Sequence, residues 1–302
     1  MNNERGNTIV IFLLVTIVAI LASVTGVFGK IALFEIPPLS FTFLRFFIAA
    51  LILLPFSFQY LKKFKRKDLK LVWLSLLASA NVVLFAFGIR YTTVDTSAII
   101  YSTVPIISAI FSYYLLGERF GVKKIIGIVT GFAGVSFVVL LPVISQDYHA
   151  GSLYGNLIIV VAAVSISLYW VISKIFQSAY SAHEMNSYFI FTSVCILFFL
   201  STFDLLQSQS WWTSVSWKAY VALAIVGVCT ALTYYVAQVV VKKVTPTLAS
   251  MSMFLQPFAT FILSFYFLSE TLSLAFLFGT ALSLLGIWIY TSSNSSHELK
   301  AF

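Results

Sequence analysis

Two prolines and the polar residues near them are where this sequence could do chemistry. Pro105 and Pro257 each lie inside a long apolar run. A proline ring has no N–H to offer the carbonyl four residues back, so the carbonyls of Tyr101 and Met253 are expected to lack a helical donor. At helical spacing Tyr101 shares a face with Ser97, Pro105, Ser108 and Ser112. Met253 does so with Gln256, Thr260 and Ser264, and a third run places Thr230, Tyr234 and Gln238 at steps of four. Asn81 lies about midway along the third run and Tyr169 and Trp170 lie in the sixth, while Ala22, Gly26 and Gly29 form a small stripe on the first. Hydroxyls, amides and aromatic rings of this kind can bind a small polar molecule. The other reading is that the prolines are packing kinks and that each Ser or Thr bonds back to its own helix. An amide such as Asn81, Gln238 or Gln256 cannot be satisfied so locally.

Little here could make or break bonds. The chain contains no His-Glu-x-x-His, no paired aspartates and no serine beside a usable base. His149, His183 and His297 are far apart, so neither a metal nor a cofactor is expected. Cys195 and Cys229 sit in apolar runs and read as small hydrophobes. Lys30, Arg45 and Lys174 are the cations close enough to the apolar runs to meet an anionic substrate, although Arg45 would equally suit backbone or lipid phosphate. Glu118 and Glu270 end their runs, either as proton carriers or as partners of Arg119 and loop backbone. No carboxylate falls deep in a run, which leaves no obvious coupling acid.

The elements that must position these residues follow from composition. The chain has 302 residues, 60% hydrophobic and 9% charged, with mean hydropathy +1.00. Soluble domains carry roughly 25% charged residues, so this chain reads as a polytopic membrane protein. Ten apolar runs, near 8–29, 40–60, 70–89, 96–116, 124–142, 153–173, 185–203, 217–241, 247–268 and 274–292, are long enough to span. In lipid only helices or closed barrels satisfy the backbone, and the alternating strands of a barrel are missing. The first run, Thr8–Phe28, is longer than a signal-peptide core and is expected to be a retained span.

Lysine and arginine set the orientation. With the N-terminus in the cytoplasm, the inside receives Arg5, the cluster from Lys62 to Lys70, Arg119, Lys123, Lys124, Lys174, Lys242, Lys243 and Lys300. The outside keeps Lys30, Arg90 and Lys218, with Trp211, Trp212 and Trp217 as interfacial anchors. Both termini are then cytoplasmic in an inner, cytoplasmic membrane. The net charge of +8 faces the anionic inner leaflet of the bilayer rather than nucleic acid.

The stretch Thr93–Gly134 occurs twice. At a shift of 152, Thr93, Pro105, Ser112, Tyr114, Glu118, Gly127 and Gly134 fall on Thr245, Pro257, Ser264, Tyr266, Glu270, Gly279 and Gly286. Earlier in the halves the shift is 144, which sets Lys30 on Lys174 and Gly26 on Trp170. Five spans per half force the copies to run in opposite senses, so the fold class is an all-α polytopic membrane protein of ten helices in two inverted five-helix repeats, 1–146 and 147–302. Thr93, Asp95, Thr96 and Ser97 can cap the fourth span, and Thr245 before Pro246 can cap the ninth. Gly127, Gly131 and Gly134, like Gly279, Ser283 and Gly286, give small faces for buttressing or for an oligomer contact. The oligomeric state stays open.

This pattern resembles the EamA family of the drug/metabolite transporter superfamily. The residues that carry the resemblance are Pro105, Glu118, Gly127 and Gly134, repeated as Pro257, Glu270, Gly279 and Gly286. Lys30, Lys174 and Arg45 fit positions that such proteins often fill in this way. Gly26 departs from the aromatic often seen in the first span. The resemblance implies an alternating-access carrier whose central cavity is lined by spans one, three, four, six, eight and nine, for amino acids, other small metabolites or drugs, often moved outward.

The reading is therefore a secondary carrier of a small polar metabolite, an amino-acid-type exporter and not an enzyme. Tyr101, Asn81, Trp170, Tyr234 and Gln256 would face the substrate, with Tyr169, Gln238 and Met253 beside them and Pro105 and Pro257 breaking the helices. A carrier of a phosphorylated or nucleotide-type anion is the alternative, and an intramembrane enzyme is the alternative of another class.

Overall fold

The computed structural model describes residues 2–62, 65–88, 91, 97, 100–145, 152–207, 211–268 and 274–292. Glu270, Thr93, Asp95 and Thr96 lie outside the described residues. Among these residues there are ten helices of 13 residues or more and no strand. They are α1 Asn2–Leu33, α2 Pro38–Lys62, α3 Leu69–Gly88, α4 Val104–Leu116 and α5 Val122–Ser145. The second five are α6 Leu153–Phe176, α7 Ala182–Gln207, α8 Trp217–Lys243, α9 Ser252–Leu268 and α10 Leu274–Ser292. The segments α1–α3 and α6–α8 are long and apolar enough to cross a membrane, whereas α4 is a shorter apolar helix. The protein is a polytopic membrane protein.

Helix packing repeats between the halves. Helix α1 packs on α8 and α9, and its counterpart α6 packs on α3 and α4. Helix α2 packs on α8 as α7 packs on α3, while α2 meets α7 and α5 meets α10 across the axis that relates the halves. Every one of these contacts maps onto another, or onto itself, when the halves are exchanged. That is the arrangement an inverted repeat requires.

Small and hydroxyl residues let the helices approach, as expected where lipid and protein interiors are equally apolar. The two glycine faces meet each other. A Cβ added at Gly127 would lie 2.8 Å from the Gly286 carbonyl, and one at Gly134 would lie 2.7 Å from that of Gly279. The Ser283 hydroxyl donates to the Gly131 carbonyl at 3.2 Å. These faces are buttresses within one chain. Hydroxyl pairs join other helices: Ser57 with Ser187 at 2.7 Å, and Ser79 with Ser193 at 2.8 Å.

Contacts at the helix ends fall into two sets, as alternating chain direction demands. At one end the Asp204 carboxylate accepts from the Ser40 N–H at 2.8 Å, close to the N-terminus of α2, where the helix dipole favours an anion. Glu35 accepts from the N–H and hydroxyl of Ser216, the N-cap of α8. At the other end α4 stops at Gly117, whose φ of 67° is the left-handed conformation that glycine adopts without a Cβ penalty. Glu118 follows, and its partners come from other elements: the Tyr290 hydroxyl at 3.1 Å, the Thr247 hydroxyl at 3.4 Å and the Lys124 ammonium at 3.9 Å. Glu118 thus ties the first half to the second at this end.

Candidate functional site

Both helices that contain the duplicated prolines are interrupted. In the first half the break falls at Ser102–Thr103, and α4 restarts at Val104 with Pro105 in its first turn, a position that needs no N–H donor. In the second half Thr245 caps a short turn of helix, Pro246–Ser250, by accepting from the Leu248 N–H at 3.2 Å. The break follows at Met251, and Pro257 lies inside α9. Hydroxyls take up carbonyls around these breaks. Thr103 donates to Ile100 at 2.6 Å, Ser250 to Thr247 at 2.7 Å and Ser252 to Ala249 at 2.9 Å. Backbone freed at membrane depth is tolerable only with such partners.

The carbonyl just before each proline is also met from the opposite repeat. The Ser23 hydroxyl on α1 lies 2.9 Å from the Gln256 carbonyl, and that of Ser167 on α6 lies 3.5 Å from the Val104 carbonyl. Each serine shares its proton with its own helix, Ser23 with Ala19 at 2.7 Å and Ser167 with Ala163 at 2.8 Å.

Next to the first break lies a polar group. The Asn81 amide donates to the Tyr101 hydroxyl and to the Ala162 carbonyl at 2.9 Å, which joins α3, the segment before α4, and α6. The Phe85 ring stands edge-on to Tyr101 at 5.3 Å. The Tyr234 ring lies 5.9 Å from that of Phe46, which stands beside the Arg45 guanidinium. Phe41 and Phe46 flank that guanidinium at 5.8 and 5.2 Å. From Phe46 a chain of rings runs through Phe189 and Tyr234, 4.7 Å apart, to Tyr169 at 5.6 Å from Phe189. The Tyr169 hydroxyl accepts from Gln238 at 2.8 Å, and Gln238 in turn accepts from Gln177 at 2.6 Å.

Among the residues singled out from sequence, the structure brings Asn81, Tyr101, Arg45, Tyr234, Tyr169 and Gln238 into one connected group. Trp170 is buried in the core beside Tyr169. Met253 packs against the core from the second break, and Gln256 is tied by its carbonyl to α1. Lys174 donates to the carbonyls of Val241 and Lys242 at 2.9 and 3.0 Å, which places its charge at the C-terminal end of α8. Lys30 is exposed near the end of α1. Arg45 is therefore the interior cation among the three. A charge at that depth costs about 2.5–3.5 kcal/mol on insertion scales. A separate cleft of about 500 Å³ between Pro55, Phe56, Phe58, Gln59 and His183 does not include this group.

The sequence pattern of the EamA-like transporter family matches residues 9–140 and again residues 153–292. The chain belongs to the EamA-like transporter family. The uncharacterised transporter YetK of Bacillus subtilis is 30% identical over 274 residues, 87% of this chain and 81% of that protein. YoaV of the same organism is 27% identical over 91% of this chain and 94% of its own. The S-adenosylmethionine uptake transporter of Rickettsia prowazekii is 25% identical over 55% of each chain. A protein of known crystal structure shares the fold, with a TM-score of 0.76, 18% identity, and coverage of 96% of this chain and 97% of that one.

In this EamA-like protein, sequence reasoning missed Gln177, Phe46 and Phe189. Gln177 lies two helical turns beyond Tyr169, so the same-face spacing could have found it. The two phenylalanines carry no polar signal that separates them from lipid-facing rings.

Proposed function

We propose that this protein is a secondary carrier that moves a small polar metabolite of the amino-acid type by alternating access between the repeats 1–146 and 147–302. The observation that carries the reading is the interior group Arg45, Tyr101, Tyr234 and Asn81, beside a broken helix in a pair of inverted halves. Helices broken within corresponding segments of inverted repeats are the membrane-protein form of a substrate site. The site offers a cation, hydroxyls and rings, which suits a zwitterion with some apolar surface. S-adenosylmethionine, named for the Rickettsia relative, is itself an amino-acid derivative.

The direction we assign is outward, from the family resemblance. The membrane is the cytoplasmic one with both termini inside, from the distribution of Lys and Arg; its anionic inner leaflet and the substrate are the partners. The protein carries its substrate without transforming it. A phosphorylated anion is the second reading, and Arg45 is the residue that favours it.

The test is flux through the purified protein in proteoliposomes, in both directions, for a panel of amino acids, their derivatives and sugar phosphates. Saturable flux of an amino-acid-type compound is expected. Flux of sugar phosphates alone would move the assignment to the second reading, and flux of neither class would overturn both.

A further inference from the structure

We propose that the Arg45 guanidinium is the receptor for an oxyanion group of the substrate, the carboxylate of an amino-acid-type molecule, with Tyr101 and Tyr234 flanking the bound group. The proposal rests on the carrier reading and deepens it, because it makes an anionic group obligatory in every substrate.

Four observations carry it. The Arg45 Nε is buried and has no hydrogen-bond partner. The Tyr234 ring lies 5.9 Å from the Phe46 ring that flanks the guanidinium, and among the described residues no carboxylate pairs with Arg45. The residue is only half-buried, although Phe46 beside it and Phe189 behind are fully buried, so part of the guanidinium still meets accessible space. The other two cations are placed elsewhere, Lys174 on the Val241 and Lys242 carbonyls and Lys30 at the exposed end of α1.

A buried cation without a counter-ion is unfavourable, and an arriving oxyanion supplies the missing charge and acceptors together. Guanidinium is the side chain best matched to that task, because its fork of N–H groups fits a carboxylate or phosphate with two parallel bonds. The flanking rings of Phe41 and Phe46 hold the cation without offering it an anion. Each tyrosine hydroxyl can donate to an oxyanion oxygen, and Asn81 keeps the Tyr101 hydroxyl in place by donating to it.

The experiment measures flux and thermal stabilisation of the full-length protein with matched compounds: the amino acids, the corresponding amides and decarboxylated amines, the corresponding carboxylic acids without the amino group, glucose 6-phosphate and glucose. Every compound that is transported or that stabilises the protein is expected to carry a carboxylate. Arg45→Gln is expected to weaken those compounds about 10- to 100-fold, the usual size of a lost charge-assisted bond, and Arg45→Lys to lose less. Transport of an amide, an amine or glucose at the rate of its acid counterpart would overturn the proposal while leaving the carrier reading intact. Transport of glucose 6-phosphate alone would overturn the carboxylate but keep the oxyanion site. Absence of any flux would overturn the carrier reading and the proposal with it. If Arg45→Gln does not fold, the wild-type panel and Arg45→Lys still decide.

Discussion

The Ser23 hydroxyl meets the Gln256 carbonyl at 2.9 Å, and the same contact recurs in the other half as Ser167 on Val104 at 3.5 Å. The two pairs are equivalent under the repeat: Gln256 matches Val104 at the shift of 152, and Ser23 matches Ser167 at the shift of 144. Each accepting carbonyl immediately precedes a duplicated proline. Both serines are fully buried. Ser23→Ala is expected to cost about 0.5–1.5 kcal/mol, the net worth of one hydrogen bond, and Ser167→Ala less because its contact is longer. Thermal unfolding of the two purified variants checks the order; equal losses would argue against the shorter contact being the stronger.

The Asn81 amide spends both N–H groups inside the protein, on Tyr101 and Ala162. Asn81→Leu leaves two acceptors bare and is expected to destabilise by about 1–3 kcal/mol. Tyr101→Phe removes one acceptor and should cost less. In flux assays both variants are expected to raise the substrate concentration for half-maximal transport, since the Tyr101 ring beside the substrate is no longer held. Unchanged half-saturation in both would remove Tyr101 from the site.

Helices α5 and α10 touch through backbone. Gly134→Val puts two extra branches where a single Cβ already lies 2.7 Å from the Gly279 carbonyl. Overpacking of this kind costs typically about 1–3 kcal/mol. Gly121→Ala, with open space around its Cβ, is the matched control. Detergent-solubilised yield and unfolding temperature should fall for Gly134→Val and hold for Gly121→Ala.

Glu35 gives a pH-dependent tie outside the spans. The N–H of Ser216, and then its hydroxyl, hold the Glu35 carboxyl below its ordinary value of 4.5. A depressed carboxyl contributes stability that is present above the unfolded value and is lost as pH falls through the folded one. The tie between the start of α8 and the α1–α2 connection should therefore weaken as the pH drops below about 4.5. The protection of the Ser216 amide against hydrogen exchange, measured against its intrinsic rate at each pH, should fall over that range in the wild type. In Glu35→Gln that protection should be low and independent of pH; pH-independent protection in the wild type would contradict the tie.

Much of the fold was legible because the bilayer leaves so few choices. Run lengths located the ten longer helices among the described residues, and the match of Pro105, Glu118, Gly127 and Gly134 to their second copies announced the repeat. Less legible were the helix interruptions. The expected span at 96–116 begins as a continuous helix only at Val104, and the ninth breaks at Met251 rather than at Pro257. A proline marks a place where a helix need not continue, while the neighbouring hydroxyls decide where it stops. Two partners of Glu118, Tyr290 and Thr247, lie in the other repeat, a pairing that no local spacing encodes. Of the site, Tyr101, Asn81 and Tyr234 stood out as polar residues in apolar runs. The separation of Arg45 from Lys174 needed the structure, because only there does Lys174 meet the end of α8.

The central claim is that the interior group around Arg45, Tyr101 and Tyr234 receives the substrate. The most direct measurement is exchange of a labelled amino acid across proteoliposomes preloaded with the unlabelled compound, for the wild type and for Tyr234→Ala, with each amino acid tested in turn. Saturable exchange of at least one amino acid in the wild type, reduced at least about tenfold in the folded variant, is predicted. Exchange that is equal in the two proteins, or found for no amino acid, would contradict the account.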